Sequence, residues 1–492
     1  MMGSHRRIAA GSSLASRGDQ LVDRHLAVLA HLGRVEPAYV DFTADAAAQA
    51  PLTWGQLNIW RPLQWFGEGS SDFNLRKAMS LGPGVPLTAM LDAWHRLVLR
   101  HQVLRTHFRE TSDGPRQYVL EAGRYAVVVL DAEADADATS IAETAVNLLA
   151  ADAFQLDEEL PVRAVLVRAN GLIRAAGITI SHVAVDAWAM EQLLRELGDE
   201  LAGTPTGAEP AWQPLDQVEY ENSESGRRRE RLSLGFWQRC LSEAPDRNAA
   251  LTRPVEGDPI QRWWLDSTAV ALAAQVIASR TRTSTSAVLL TVAALAHRAL
   301  ARRDTVALRL IAANRYNPRL RGMVAVAAQN AVLIYRPEGP DLFAAIRQTH
   351  RESSASYMRA AYNPDALDAL IAEETKRRGT EPDLSAYFND ARLGREWTGP
   401  LPELDRSTLA RLRTSSRLTT LDPLPKHDMS FYFMVTHAPD RVGLMLLADT
   451  RLLPVQRCRA LLPALEQLLC EALFREVAVE EFRRLGDVEP GE

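Results

Sequence analysis

Two strand-like runs, Pro161–Arg168 and Leu172–Ile180, meet at Asn170-Gly171, and the second continues through SHVAVDAW into a helix-patterned stretch, Ala187–Leu201. Asn-Gly between apolar runs signals a hairpin, because both residues accept the positive φ that a tight turn needs. The apolar period then changes from two residues to 3.6 within a few positions, which demands sheet and helix in one packed unit.

The same alternation recurs along the chain. Helices are predicted over Gln20–Leu32, Leu87–Arg100, Ser140–Ala153, Arg227–Leu241, Thr285–Arg303, residues 338–380 and Pro454–Phe474. Strands are predicted over Tyr125–Leu130, Thr305–Ala312, Met323–Arg336, Leu384–Asn389, Met429–Thr436 and Gly443–Thr450. The pattern reads as an α/β (α+β) chain of two lobes. Residues 202–216, rich in Gly, Pro and Thr, mark the exit from the first. The expected division is a partly disordered leader over 1–47, a first lobe over 48–215, a helical connection over 216–260, a second lobe over 261–480 and a tail over 481–492.

Composition excludes several functions. A net charge of -6 over 492 residues lacks the basic excess of a nucleic-acid-binding protein. No run is apolar and long enough for a membrane span; the best, Ser286–Leu300, is short and holds His297 and Arg298. Cys240, Cys458 and Cys470 match no zinc or CxxC spacing and read as buried thiols, so a cytoplasmic setting is expected, with no metal. The three lysines, Lys77, Lys376 and Lys426, lie in no Gly-rich phosphate loop. G-x-G-x-x-G after a strand, G-x-S-x-G and H-E-x-x-H are all missing.

What remains is His182 at the end of a predicted strand, with Asp186 opening the following helix. A strand end is rigid and its loop can face a cleft, so a histidine there is placed to take a proton from, or hold, an attacking amine or hydroxyl. Taken alone, H-x-x-x-D is a weak pattern that recurs by chance, and a satisfied core histidine with an N-capping aspartate is the default reading of it.

The wider chain resembles the condensation domains of nonribosomal peptide synthetases. SHVAVDA aligns with the family motif HHxxxDG. LTWGQLNIWRPL, with Gln56 and Trp60, resembles the family's opening motif, and RHQVLRTHF (Arg100–Phe108) is close to RHExLRTxF. Ala313–Arg336 carries Arg315, Gly322 and Asn330 in the places of the family's arginine, glycine and asparagine, and SAYFND (Ser385–Asp390) follows in order. These motifs cover roughly residues 50–475.

The resemblance implies two chloramphenicol-acetyltransferase-like lobes in a V-shaped pseudo-dimer, with the active site in a tunnel between them. It implies that His182 is the functional histidine, that Asp186 is structural and that Arg315 is its partner. Ser181, Ala187 and Trp188 flank these residues. Gln56, Arg105, Asn330, Tyr387 and Asn389 are candidates for the tunnel lining, though scaffold and strand packing explain them as well. Substrates would arrive as thioesters on phosphopantetheine arms, with no bound cofactor. The condensation-like region uses up the chain, so a peptidyl or acyl carrier protein is expected in trans, with a monomeric enzyme forming an amide or ester. The run Arg227–Arg231 would suit an acidic carrier, or simply a solvated helix face.

Two positions depart from the motif. Ser181 replaces its first histidine, and Ala187 replaces its glycine, a change that sterics tolerate unless φ is positive. Other readings are a CoA-dependent acyltransferase or epimerase of the same superfamily, and a non-catalytic docking module that recruits a carrier or tailoring enzyme.

Overall fold

The computed structural model describes residues 20–204, 212–247, 255–393, 404–438 and 440–485. The chain divides into two units. The first takes the chain up to Arg227 together with Arg315–Ala328, and the second takes the remainder.

The first unit opens with helix α1 (residues 20–29) and strands β1 (Arg34–Thr43) and β2 (Ala48–Pro51). Then come α2 (Trp54–Phe66), β3 (Leu75–Val85), α3 (Leu87–Arg100), β4 (Thr106–Arg109), β5 (Arg116–Val119) and β6 (Ala122–Asp131). It continues with α4 (Ala138–Leu149), β7 (Val162–Ala169), β8 (Leu172–Ile180), α5 (Ala187–Leu201) and α6 (Pro214–Asn222). Five strands form the main sheet in the order β1-β6-β7-β8-β3, and β2-β5-β4 form a small second sheet.

Helix α4 packs Ala142, Val146 and Leu149 on one face of the main sheet, against Val165, Val167 and Ala175. Helices α3 and α5 cover the other face with Trp94, Leu97, Leu193 and Leu197, against Val127, Leu166 and Ile178. Strand β8 is buried on both faces, so its sequence reads as a nearly continuous apolar run. Asn170 and Gly171 turn between β7 and β8 with φ of 54° and 77°, the two positive values of a type I′ hairpin.

The second unit begins within α7 (Glu224–Glu243) and continues with β9 (Ile260–Ser267), α8 (Thr268–Thr281), α9 (Thr285–Leu300) and β10 (Val306–Ala312). A short helix, α10 (Pro318–Arg321), lies in the excursion that belongs to the first unit. The second unit resumes with β11 (Gln329–Tyr335), α11 (Leu342–Tyr357), α12 (Pro364–Arg378), β12 (Ala386–Asp390), α13 (Arg406–Thr414) and β13 (Arg417–Leu424). It ends with β14 (Phe431–Ala438), β15 (Arg441–Asp449), α14 (Val455–Glu471) and α15 (Val479–Arg484). Its seven strands run β11-β10-β12-β14-β15-β9-β13. Helices α8, α9, α11 and α14 share one apolar core with Leu308, Phe388, Phe433 and Leu446 from the sheet. On the opposite face, α7 and α12 pack Trp237, Leu241 and Leu367 against Ala307 of β10 and Val332 of β11.

Four expectations are corrected. Residues 34–43 are not leader: β1 pairs with β6 along its whole length, from Arg34 opposite Asp131 to Thr43 opposite Ala122. As an edge strand with alternate residues exposed, it tolerates Pro37 and carries a weak apolar signal. The connection over 216–260 is not one element, since α6 packs in the first unit and the division falls inside α7. The run Met323–Arg336 is a strand only from Gln329; its first six residues are an irregular segment of the first unit. The tail over 481–492 begins as helix, within α15, and its residues 486–492 lie outside the described residues, as do residues 1–19 of the leader.

Candidate active site

His182 lies one residue past β8, in a turn of five residues, Ser181–Val185, between Ile180 and the N-cap of α5. Main-chain bonds shape that turn: Ser181 N–H donates to Pro161 O at 3.0 Å, and Ala184 N–H to Ser181 O at 2.9 Å. Val183, Ala184 and Val185 are fully buried, so the turn is anchored by its apolar side chains, while His182 itself is half-buried. The imidazole Nδ1 lies 2.9 Å from the Val185 carbonyl oxygen. A carbonyl only accepts, so this contact selects the tautomer with hydrogen on Nδ1 and leaves Nε2 as the basic nitrogen.

Asp186 N-caps α5, its Oδ1 accepting from Ala189 N–H at 2.8 Å. The same buried carboxylate takes Arg315 Nη2 at 2.8 Å on both oxygens, and Oδ2 accepts from Ala327 N–H at 2.9 Å and Ala328 N–H at 3.1 Å. Arg315 also donates to the carbonyls of Leu320, Met323 at 2.8 Å and Ala325 at 2.7 Å. Charged groups this deep are tolerated only when paired and hydrogen-bonded, and here both conditions hold. The result is a clamp that ties Arg315–Ala328 to the start of the helix behind His182.

The flanking residues have separate roles. Ser181 is buried. Ala187 is exposed and begins α5 with a helical, negative φ, so the residue fits without strain. Trp188 Nε1 donates to Arg321 O at 3.0 Å, a further tie to the 315–328 segment.

Gln56 and Arg105 are both engaged by main-chain groups of the first unit. Gln56 is wholly buried and forms a capping box with Thr53 at the start of α2, its Oε1 accepting from Thr53 N–H at 2.9 Å. Arg105 is buried and donates to Leu120 O at 2.6 Å. Gln56 Nε2 also donates to Gln117 Oε1 of β5 at 3.4 Å. Asn330, Tyr387 and Asn389 belong to the second unit. The Asn330 carbonyl accepts from Tyr362 Oη at 2.7 Å, Tyr387 Oη accepts from Arg309 at 2.7 Å, and Asn389 donates to Tyr432 Oη at 2.9 Å.

Sequence reasoning did not find the Val185 carbonyl or the Ala327 and Ala328 amides, because main-chain groups carry no residue signature. It also passed over Gly55. A Cβ there would lie 2.4 Å from Val326 O, so α2 approaches the 315–328 segment as closely as only glycine permits. Its one signal was a glycine in the first turn of a helix.

Residues 47–376 match the family model described as Condensation domain. The chain is 28% identical over 385 residues to phosphinothricin tripeptide synthetase PhsC of Streptomyces viridochromogenes, covering 74% of this chain but 35% of that protein. Among solved structures, it resembles that of condensation domain-mediated chain release from the enacyloxin polyketide synthase, at TM-score 0.64 and 20% identity, over 99% of this chain and 92% of the other. It also resembles the complex of the X-domain and OxyB from teicoplanin biosynthesis, at TM-score 0.63 and 15% identity, over 88% of this chain and 95% of the other. At these identities the structures speak for the fold, and the family match covers most of the chain. This protein belongs to the condensation-domain family of nonribosomal peptide synthetases.

Proposed function

We propose that this chain is a condensation enzyme of natural-product biosynthesis that transfers an acyl or aminoacyl group from a carrier-bound thioester to an amine or hydroxyl. The observation that carries the reading is the contact from His182 Nδ1 to Val185 O, which leaves Nε2 free to accept. The nucleophile's N–H or O–H donates to Nε2 and its lone pair attacks the thioester carbonyl. The proton passes to Nε2, and the Val185 carbonyl stabilises the resulting imidazolium through Nδ1–H. Collapse of the tetrahedral intermediate expels the pantetheine thiolate, which recovers the proton. General base catalysis of this kind is worth roughly 10²–10⁴-fold. Asp186 and Arg315 hold the turn and touch no reacting atom. The donor arrives on the phosphopantetheine arm of a carrier protein supplied in trans to a monomeric cytoplasmic enzyme.

The test is mass spectrometry of product formed from acyl-loaded carrier protein and a panel of amines and alcohols. Loss of product in His182→Ala, with carrier binding intact, supports the reading; equal product from both proteins overturns it. Acyl-CoA supplied without carrier separates a CoA-dependent transferase, and deuterium wash-in at the α-carbon of a tethered amino acid separates an epimerase.

A second reading is a docking module that recruits a partner enzyme. Ser181 and Ala187 in place of the motif's histidine and glycine favour it, as does the likeness to an X-domain seen with OxyB. It predicts carrier or partner binding without turnover, unchanged by His182→Ala.

A further inference from the structure

Arg309 occupies the middle of β10, between Leu308 and Leu310, which are both buried in the core under α8 and α9. Alternation along the strand puts its guanidinium on the opposite face of the sheet. Nη1 donates to Tyr387 Oη at 2.7 Å on the adjacent strand, and the guanidinium lies 5.5 Å from that ring's centroid. Nε is buried with no acceptor, and Nη2 has no protein partner among the described residues.

No carboxylate of the described residues is within ion-pair distance of Arg309, whereas the buried guanidiniums of Arg163, Arg315 and Arg392 each hold one. Tyr387 does not supply the missing charge: burial pushes its phenol up, so it stays neutral. Asp428 acts on Arg309 only through space, and its carboxylate is engaged by His427 at 3.0 Å. A partly buried cation that lacks a contact anion is costly unless something else supplies it.

The same face continues as a partly buried floor of Tyr432, Met434, Met445 and Trp264, in register across β14, β15 and β9. Aromatic rings and thioethers suit an apolar body of varied shape.

We propose that Arg309 reads a carboxylate on the small-molecule substrate that lies along this face, with its apolar body against Tyr432, Met434, Met445 and Trp264. A single guanidinium beside neutral phenols, with Asp428 in range, matches a monoanion better than a phosphate. The substrate's role as donor or acceptor rests on the acyl-transfer reading; the carboxylate site does not. That carboxylate is a group other than the tethered thioester, either an acidic side chain or the free acid of an untethered acceptor.

The test uses the full chain and calorimetric titration with 3-phenylpropanoate, octanoate and N-acetylmethionine, each beside its primary amide. At least one acid should bind about tenfold or more tighter than its amide, the size of a charge-assisted hydrogen bond. Arg309→Gln should abolish that preference and Arg309→Lys should retain part of it. Circular dichroism and melting curves establish that both variants fold, and removing an unpaired cation is not expected to unfold the sheet. His182→Ala should bind as the parent does, so failure of acyl transfer leaves this result untouched. Equal binding of every acid and its amide, or an acid preference that survives Arg309→Gln, overturns the proposal. Inorganic phosphate displacing the acid at lower concentration overturns the assignment to a carboxylate.

Discussion

Arg315 places one nitrogen, Nη2, 2.8 Å from both carboxylate oxygens of Asp186, a residue 129 positions earlier in the chain. Both side chains are almost fully enclosed, so neither charge has water to fall back on.

Removing one partner should therefore be severe. Arg315→Ala leaves Asp186 buried and unpaired and frees three carbonyls, and a loss of about 3–5 kcal/mol is expected. Arg315→Lys should recover little, because a point-like ammonium cannot span the carboxylate and the carbonyls of Met323 and Ala325 together. Urea denaturation midpoints measure both. If either variant matched the parent, the clamp would not be holding the segment.

Glycine substitutions in two helices should act in opposite directions. Gly55→Ala drives a Cβ against Val326 O, one residue from an amide that Asp186 accepts, and overpacking of this kind costs about 1–3 kcal/mol. Gly198→Ala, inside α5 with nothing within 4 Å of the new methyl, should gain about 0.5–1 kcal/mol from helix propensity. Thermal melts of the two variants side by side give the comparison.

Glu196 ties α5 to the end of α3, accepting from His101 at 2.7 Å, Arg100 at 3.1 Å and Gln192 at 2.6 Å. Burial works to raise its carboxyl, but His101, Gln192 and Arg100 outweigh it and hold the group below its ordinary 4.5. A carboxyl depressed on folding stabilises above its unfolded value, and that contribution is lost as pH falls through the folded value. Glu196→Gln should cost about 1–3 kcal/mol at neutral pH, and its stability should converge on the parent's below about pH 4.5. Denaturation at several pH values checks the convergence.

His297 works the other way. Burial in α9 lowers its pKa from 6.5 to about 4, and its Nδ1 has no partner. The native state keeps the ring neutral while the unfolded chain takes up a proton, so stability should fall as pH drops from about 6.5 to about 4. The shift corresponds to about 3 kcal/mol. His25, also lowered to about 4 by burial, contributes in the same window. His297→Leu should flatten part of the curve, with pH-dependent melts as the readout.

The elements legible from sequence were those whose pattern is local. Leu87–Arg100, Leu172–Ile180 and Ala187–Leu201 match their predicted bounds, because each has a clear apolar period and because Asn170-Gly171 and Asp186 mark where the second and third begin. The strand expected over Met323–Ala328 failed for a physical reason. Its apolar residues are buried, but Arg315 and Asp186 satisfy its main chain where a neighbouring strand would have done so. Gln56 and Arg105 were read as candidates for a lining or for scaffold, and their bonds with Thr53 N–H and Leu120 O were not legible, since a motif records that a residue is needed without saying for what. Arg309 drew no notice, because one arginine in an apolar strand becomes unusual only when its neighbours are known to leave it unpaired.

The excursion Arg315–Ala328 makes the first unit discontinuous in sequence. A fragment ending at Arg227 would hold every strand of the five-stranded sheet yet lack the cation and the two amides that Asp186 needs. Such a half should be expressed poorly or misfold around the turn that carries His182. Supplying residues 315–328 as a separate peptide should rescue it only in part, since the peptide must then give up the freedom that covalent continuity had already removed. Dissection of this protein, and exchange of its halves with those of relatives, therefore needs to move the excursion along with the unit it completes.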